Sequence, residues 1–203
     1  MTEQDWIRRA RAGDEAAFTA LVETYQTAIY NVCYRMLGEA GEAEDAAQET
    51  FLRAYSQLSS YDPTRSFKTW LFSIANHHCI DRLRKRRLTW LSLDDTLPPH
   101  PALQEQAPGP EDASVRREQT EALQALLAKL SPDDRGVIVM RYWYDFSYEE
   151  IAEATRTTVS AVKSRLHRAR GSLAEMIQAG ARSPRPALRA AALTVESLGG
   201  VKQ

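Results

Sequence analysis

From Phe18 to Leu37 the chain contains neither glycine nor proline, and Phe18, Leu21, Val22, Tyr25, Ile29, Cys33, Met36 and Leu37 recur at spacings of three and four. That period predicts an amphipathic helix, stopped at Gly38. Ala47, Phe51, Ala54 and Leu58 repeat the period in a second helix whose other face holds Asp45, Gln48 and Glu49. Ser59 to Ser66 reads as a loop on its turn residues. A third helix is predicted from about Phe67, with Trp70, Leu71, Ile74, Ala75, Cys79 and Leu83 inward, ending in the basic run Arg82-Leu-Arg-Lys-Arg-Arg87.

Residues 88–114 break the pattern: they hold five prolines, five acids and no lysine or arginine. Such a segment buries too little apolar surface to offset its ordering entropy, and reads as an extended linker. Helical spacing returns at 115–130 through Val115, Leu123, Leu126, Leu127 and Leu130. Ser131-Pro-Asp-Asp134 is a helix start, with a hydroxyl cap, proline in the first turn and two acids at the positive end of the helix dipole. Ser147-Tyr-Glu-Glu150 is a second start, an S-x-x-E capping box. Its helix carries Ile151, Ala152 and Ala154 and yields to Thr155-Arg-Thr-Thr158; another helix follows with Val162, Leu166, Ala169 and Leu173 inward. Short helix, tight turn and basic second helix make a helix-turn-helix plan. Many such turns place glycine where Arg156 stands, so this turn needs another backbone solution. The expected fold is all-α: a helical domain over 1–90, a flexible acidic linker over 91–114, a helix-turn-helix domain over 115–180 and a tail over 181–203.

Charge sharpens this reading. The 203 residues sum to a net charge of -1, which by itself does not indicate nucleic acid. The average conceals segregation: residues 155–174 carry five positive charges and no negative ones, and 61–90 carry seven against two. Two basic stretches flank a purely acidic one. Two cysteines, Cys33 and Cys79, are too few for a disulfide scaffold and fit a reducing cytoplasm. The acidic N-terminus lacks the apolar core of a signal peptide, and the longest aliphatic run, Val137 to Met140, falls far short of the roughly 20 residues a membrane helix needs. A cytoplasmic protein without membrane insertion is expected.

Three blocks of sequence resemble the extracytoplasmic-function (group 4) sigma factors of bacterial RNA polymerase. Asp45-Ala-Ala-Gln-Glu-Thr-Phe51 is similar to that family's polymerase-binding motif. Phe67-Lys-Thr-Trp-Leu-Phe-Ser-Ile-Ala-Asn76, continuing to Arg84, is similar to its promoter-melting and −10-reading helix. Leu130-Ser-Pro-Asp-Asp-Arg135, Ser147 to Ala152 and Val162 to Arg170 are similar to its −35-reading domain. The resemblance implies a sigma-2 domain, a sigma-4 domain, and a chain that binds core RNA polymerase, reads both elements of promoter DNA and opens the duplex. It also implies an anti-sigma factor as regulatory partner, which can hold such a protein at the membrane. No small-molecule substrate and no cofactor are implied.

The same resemblance distributes the candidate residues. For polymerase they are Asp45, Gln48 and Glu49. For the −35 major groove they are Ser160, Ala161, Lys163, Ser164, Arg165, His167 and Arg168. Around the −10 element, the loop with Tyr61 and Asp62 is placed as a pocket for an unstacked base, since extrusion costs a few kcal/mol and stacking returns about 1–3 kcal/mol. On the residues alone Tyr61 reads first as loop packing. His78, Arg82 and Lys85 share one helical face suited to phosphates and base edges. Asn76 is a bidentate base reader, or equally a side chain that pins the adjacent loop. The linker, with five acids, either threads a positively charged channel of the polymerase or is a passive spacer.

Two rival classes compete with this reading. His77-His78-Cys79 is the sole cluster resembling a metal site, but adjacent helical residues point apart and no second pair stands at ligand spacing, so neither a metal nor an enzyme is expected. A stand-alone helix-turn-helix regulator shares the second domain but leaves the 61–87 match without a role.

Overall fold

The computed structural model describes residues 1–92 and 120–181, and all regular structure among them is helical. The helices are α1 (Glu3–Arg11), α2 (Glu15–Leu37), α3 (Ala40–Gln57), α4 (Phe67–Ser92), α5 (described over 120–128), α6 (Pro132–Trp143), α7 (Tyr148–Ala154) and α8 (Val159–Ala181), with a 3-10 turn at Leu58–Ser60. The linker from 93, Val115 and the tail from 182 lie outside the described residues.

Local chemistry sets the helix ends. Thr2 and Asp5 form a reciprocal capping box on α1, and Asp14 caps α2 by accepting from the Ala17 N–H at 3.1 Å. Gly38 ends α2 at φ +82°, a left-handed position that glycine occupies without Cβ strain. Helix α1 was not anticipated. The third helix runs to Ser92, beyond the expected linker start.

Helices α1 to α4 bury Ile7, Leu21, Ile29, Val32, Cys33, Met36, Leu71, Ala75 and Cys79. On α3 the buried positions are small, Ala43, Ala46 and Ala54, which lets its backbone approach α2 closely. The second half buries Leu126, Leu127, Ile151, Val162, Leu166, Ala169 and Leu173.

The two helical domains do not sit apart: they share one apolar cluster. Helix α6 shows why. Val137, Ile138, Val139 and Met140 are consecutive and all buried, so no side of the helix there faces water. A helix apolar all round must be covered all round, and α6 lies between α7 and α8 on one side and α2 and α4 on the other.

On α4 the surface that meets this second domain recurs every four residues. Lys68 donates to the Tyr144 carbonyl at 3.0 Å, and its ammonium lies 4.7 Å from the Phe146 ring centroid. Phe72, fully buried, packs against the rings of Tyr144 and Phe146 at 4.7 and 5.1 Å. Asn76 lies so close to Gly136 that a Cβ there would overlap its side-chain oxygen. Ile80 is buried, and Arg84 pairs with Asp133 at 3.0 Å. Arg135 adds a link from α6, donating to the Met36 carbonyl in the last turn of α2, where helix carbonyls lack partners and the dipole favours a cation. Burial, with the nearby Arg86 charge, pushes the Arg135 guanidinium down to about 10, which leaves it charged at neutral pH.

Candidate nucleic-acid and polymerase interfaces

Helices α7 and α8 form the helix-turn-helix. Ser147 accepts from the Glu150 N–H at 3.1 Å while Glu150 accepts from the Ser147 N–H at 2.8 Å, so the capping box is closed. At the turn, Arg156 takes φ +51°, and the Thr157 N–H reaches the Ala152 carbonyl at 2.9 Å. The missing glycine is thus replaced by a strained arginine. A left-handed non-glycine residue costs roughly 1–2 kcal/mol, and glycine there forfeits part of that in unfolded-state entropy. Arg156→Gly should therefore raise the unfolding free energy by about 0.5–1 kcal/mol, read from the denaturant midpoint at unchanged slope.

Thr158 caps α8 by accepting from the Ala161 N–H at 3.2 Å. Beyond that cap, Ser160, Lys163, Ser164, His167 and Arg168 are exposed, Ala161 and Arg165 half-buried. Both arginines are engaged by acids of α6: Arg165 with Asp133 at 3.1 Å and Arg168 with Asp134 at 3.5 Å. The Lys163 ammonium lies 5.6 Å from the Tyr148 ring centroid.

The other basic surface is less uniform than its sequence implies. Asp62 organises its loop, accepting from the Thr64 N–H and hydroxyl, which hold its carboxyl below the usual range. Tyr61 is only 2% exposed; its ring packs on Phe67 and Trp70, and its hydroxyl donates to the Arg65 carbonyl. In this arrangement Tyr61 is a loop-packing residue. Asn76 is also 2% exposed, covered by Gly136 rather than open to a base. Lys85 is exposed. His78 and Arg82 turn toward α3, where Arg82 lies 3.9 Å from Asp45. Half-buried His78 has its pKa lowered, by burial first and then by the Arg53 and Arg82 charges. His77 bonds the Ser73 carbonyl through Nδ1 and Cys79 is fully buried, so the three neighbours face different surroundings.

On α3, Asp45 and Gln48 are exposed, and Glu49 pairs with Arg53 at 2.6 Å, which holds its carboxyl below the usual range. Beside them lies what periodicity missed. Leu52 is 66% exposed and Tyr55 46%, and they border a cleft of about 560 Å³ with Phe18, Val22 and Phe51. A second cleft of about 390 Å³ continues from Val22, Gln48 and Phe51 toward Tyr30 and Glu44. An exposed leucine alone says little, but an apolar groove rimmed by Gln48, Glu44 and Glu15 is the kind of surface that meets a partner. The available signal was Leu52, an apolar residue outside the Ala47, Phe51, Ala54 stripe.

Residues 21–89 match the family description Sigma-70 region 2, and residues 120–173 match Sigma-70, region 4. The chain is 38% identical over 177 residues to the ECF RNA polymerase sigma factor SigW of Bacillus subtilis, covering 85% of this chain and 95% of that protein. It is 31% identical over 182 residues to the RNA polymerase sigma-H factor of Pseudomonas aeruginosa, covering 87% and 94%. Among solved structures it resembles CnrH in complex with the cytosolic domain of CnrY, with a TM-score of 0.65, 25% identity and coverage of 87% and 97%. It also resembles the sigma factor RpoE in complex with the anti-sigma factor NepR from Bartonella quintana, with a TM-score of 0.62, 25% identity and coverage of 83% and 98%.

Proposed function

The chain belongs to the extracytoplasmic-function sigma factors of RNA polymerase, and from that premise we propose how its surfaces divide the work of directing promoter-specific initiation. The exposed face of α8 reads the −35 element through Ser160, Ala161, Lys163, Ser164, Arg165, His167 and Arg168. Five exposed polar side chains on one face of a capped, basic second helix carry this reading. The −10 strand is taken by α4 and its preceding loop, through Asp62, His78, Arg82 and Lys85, whereas Tyr61 packs within that loop and Asn76 is covered by Gly136. The groove between α2 and α3, with Asp45, Gln48, Glu49, Leu52 and Tyr55, docks the polymerase. The protein supplies recognition and strand opening and leaves catalysis to the polymerase. Domain limits of 1–90 and 115–180, with the acidic segment between them threading the enzyme, belong to the same reading.

Two further points follow from the relatives. Solved relatives are held by CnrY and by NepR, and a dedicated anti-sigma partner is proposed here too. No helix among the described residues is long and apolar enough to cross a membrane.

The test is a salt titration of holoenzyme on promoters with matched and mismatched −35 elements. Arg165→Ala should cost about 1–3 kcal/mol and relax specificity at one base pair if it makes a bidentate guanine contact. Lys163→Ala should weaken all promoters evenly and reduce the salt slope by about one. Equal, sequence-independent losses from both variants would remove the assignment of base reading to Arg165.

A further inference from the structure

Helix α1 brings a cation to the −10 loop. It carries three arginines. Arg8 pairs with Asp5 at 2.8 Å and Arg9 with Asp14 at 2.6 Å, so both are answered by acids of the same N-terminal segment. Arg11, the last residue of the helix and exposed, behaves differently. Its guanidinium donates to the carbonyl of Ser59 at 3.3 Å, and Ser59 lies in the 3-10 turn that leads into the loop. Among the described residues, no carboxylate lies within ion-pair distance of Arg11. It is nevertheless within electrostatic reach of the loop's acid: the Thr64 N–H and hydroxyl first, then the Arg65 and Arg11 charges, hold the Asp62 carboxyl down. Arg65 is shared between Asp62 at 3.8 Å and Glu153 of α7 at 3.5 Å. Of the two guanidiniums at this loop, Arg11 is therefore the one whose charge is left unmatched.

An arginine offers five N–H donors in a rigid fork, and one bond to a carbonyl orients that fork while leaving donors over. Its best complement is a phosphate, which answers the charge and takes two donors at once. When a base leaves the stack at this loop, its own backbone has to follow it there. We infer that Arg11 is a phosphate contact for the unpaired −10 strand, so that α1 joins the loop and α4 in holding the opened DNA. This rests on the assignment of the loop and α4 to the −10 element. A contact of this kind positions the strand and carries no sequence information.

The test is binding of holoenzyme to a forked promoter probe whose −10 non-template strand is single-stranded, measured across a range of salt. Arg11→Ala should weaken binding about fivefold whatever the −10 sequence, and reduce the salt slope by about 0.7, the value for one phosphate contact on a single strand. Arg11→Lys, which keeps a point charge, should restore the slope. Arg9→Ala removes the same charge from the same helix, but at a side chain already held by Asp14, and should leave the slope unchanged. A duplex probe carrying the −35 element alone should not distinguish these variants. Normal binding by Arg11→Ala would overturn the proposal, as would an equal effect of Arg9→Ala, which would mean net charge alone. A loss without a change of slope would make Arg11 only a strut of the loop, and a loss confined to one −10 sequence would make it a base reader; either result overturns the phosphate assignment. Lys85→Ala on α4 reports separately on the reading beneath it: if that variant weakens the fork and Arg11→Ala does not, the proposal alone fails.

Discussion

Phe72→Ala should split the unfolding of this protein into two transitions. The Phe72 ring is fully buried, and its aromatic partners, Tyr144 and Phe146, belong to the other domain. Truncating a buried phenylalanine costs about 3–5 kcal/mol. Here that loss falls on the association of the domains, because an open chain would leave Phe72 facing water. Leu71 is the control. It is adjacent and equally buried, but it lies on the inner face of the first domain, so Leu71→Ala should cost about 2–5 kcal/mol within α1 to α4 themselves. Denaturant unfolding followed by probes in each domain distinguishes the two. Phe72→Ala should separate the probes, whereas Leu71→Ala should lower the first-domain transition. Coincident probes and a midpoint shift like that of Leu71→Ala would mean that Phe72 stabilises its own domain instead of coupling two.

Leu52→Asp should weaken competition for core polymerase by at least about 2 kcal/mol, roughly thirtyfold, a magnitude typical of a central apolar anchor. Leu52 is 66% exposed in the free chain, so the substitution should leave stability within about 0.5 kcal/mol. Folding and docking are therefore separable at this position. A carboxylate carried into an apolar groove must be desolvated without a partner, whereas leucine gains from burial. Glu49→Lys should give a smaller loss and also break the 2.6 Å pair with Arg53. A Leu52→Asp protein that competes like the unsubstituted chain would exclude the groove as the docking surface. The measurement is displacement of a labelled sigma factor from core enzyme, with thermal unfolding alongside.

The strongest local signals in the sequence were those with many repeats or a closed hydrogen-bond motif. Helix α2 offered six turns of apolar period, and the Ser147 to Glu150 box announced α7, as found. Helix α1 was missed because nine residues give too few turns to establish a period, although Thr2 and Asp5 stand at capping-box spacing. The surface of α4 that packs on the second domain was missed for a different reason. Lys68, Phe72, Asn76, Ile80 and Arg84 share a four-residue spacing but not a chemistry, and hydrophobic periodicity registers only uniform faces. Asn76 was assigned by its side chain alone, and nothing local says that a glycine sixty residues later would lie over it. The buried run Val137 to Met140 was the one available hint that α6 has neighbours on every side.

The ion pairs that help close the chain have a consequence for how it responds to ionic strength. Arg84–Asp133 and Arg65–Glu153 are both partly exposed, so dissolved ions weaken them over the same range in which phosphate contacts weaken. Adding salt therefore frees the reading surfaces while loosening their hold on DNA, and removing salt does the reverse. The two responses oppose each other, so the free chain's affinity for duplex should fall less steeply with salt than its count of phosphate contacts alone would dictate. A protein built this way carries its own partial compensation for changes in the ionic content of the cell.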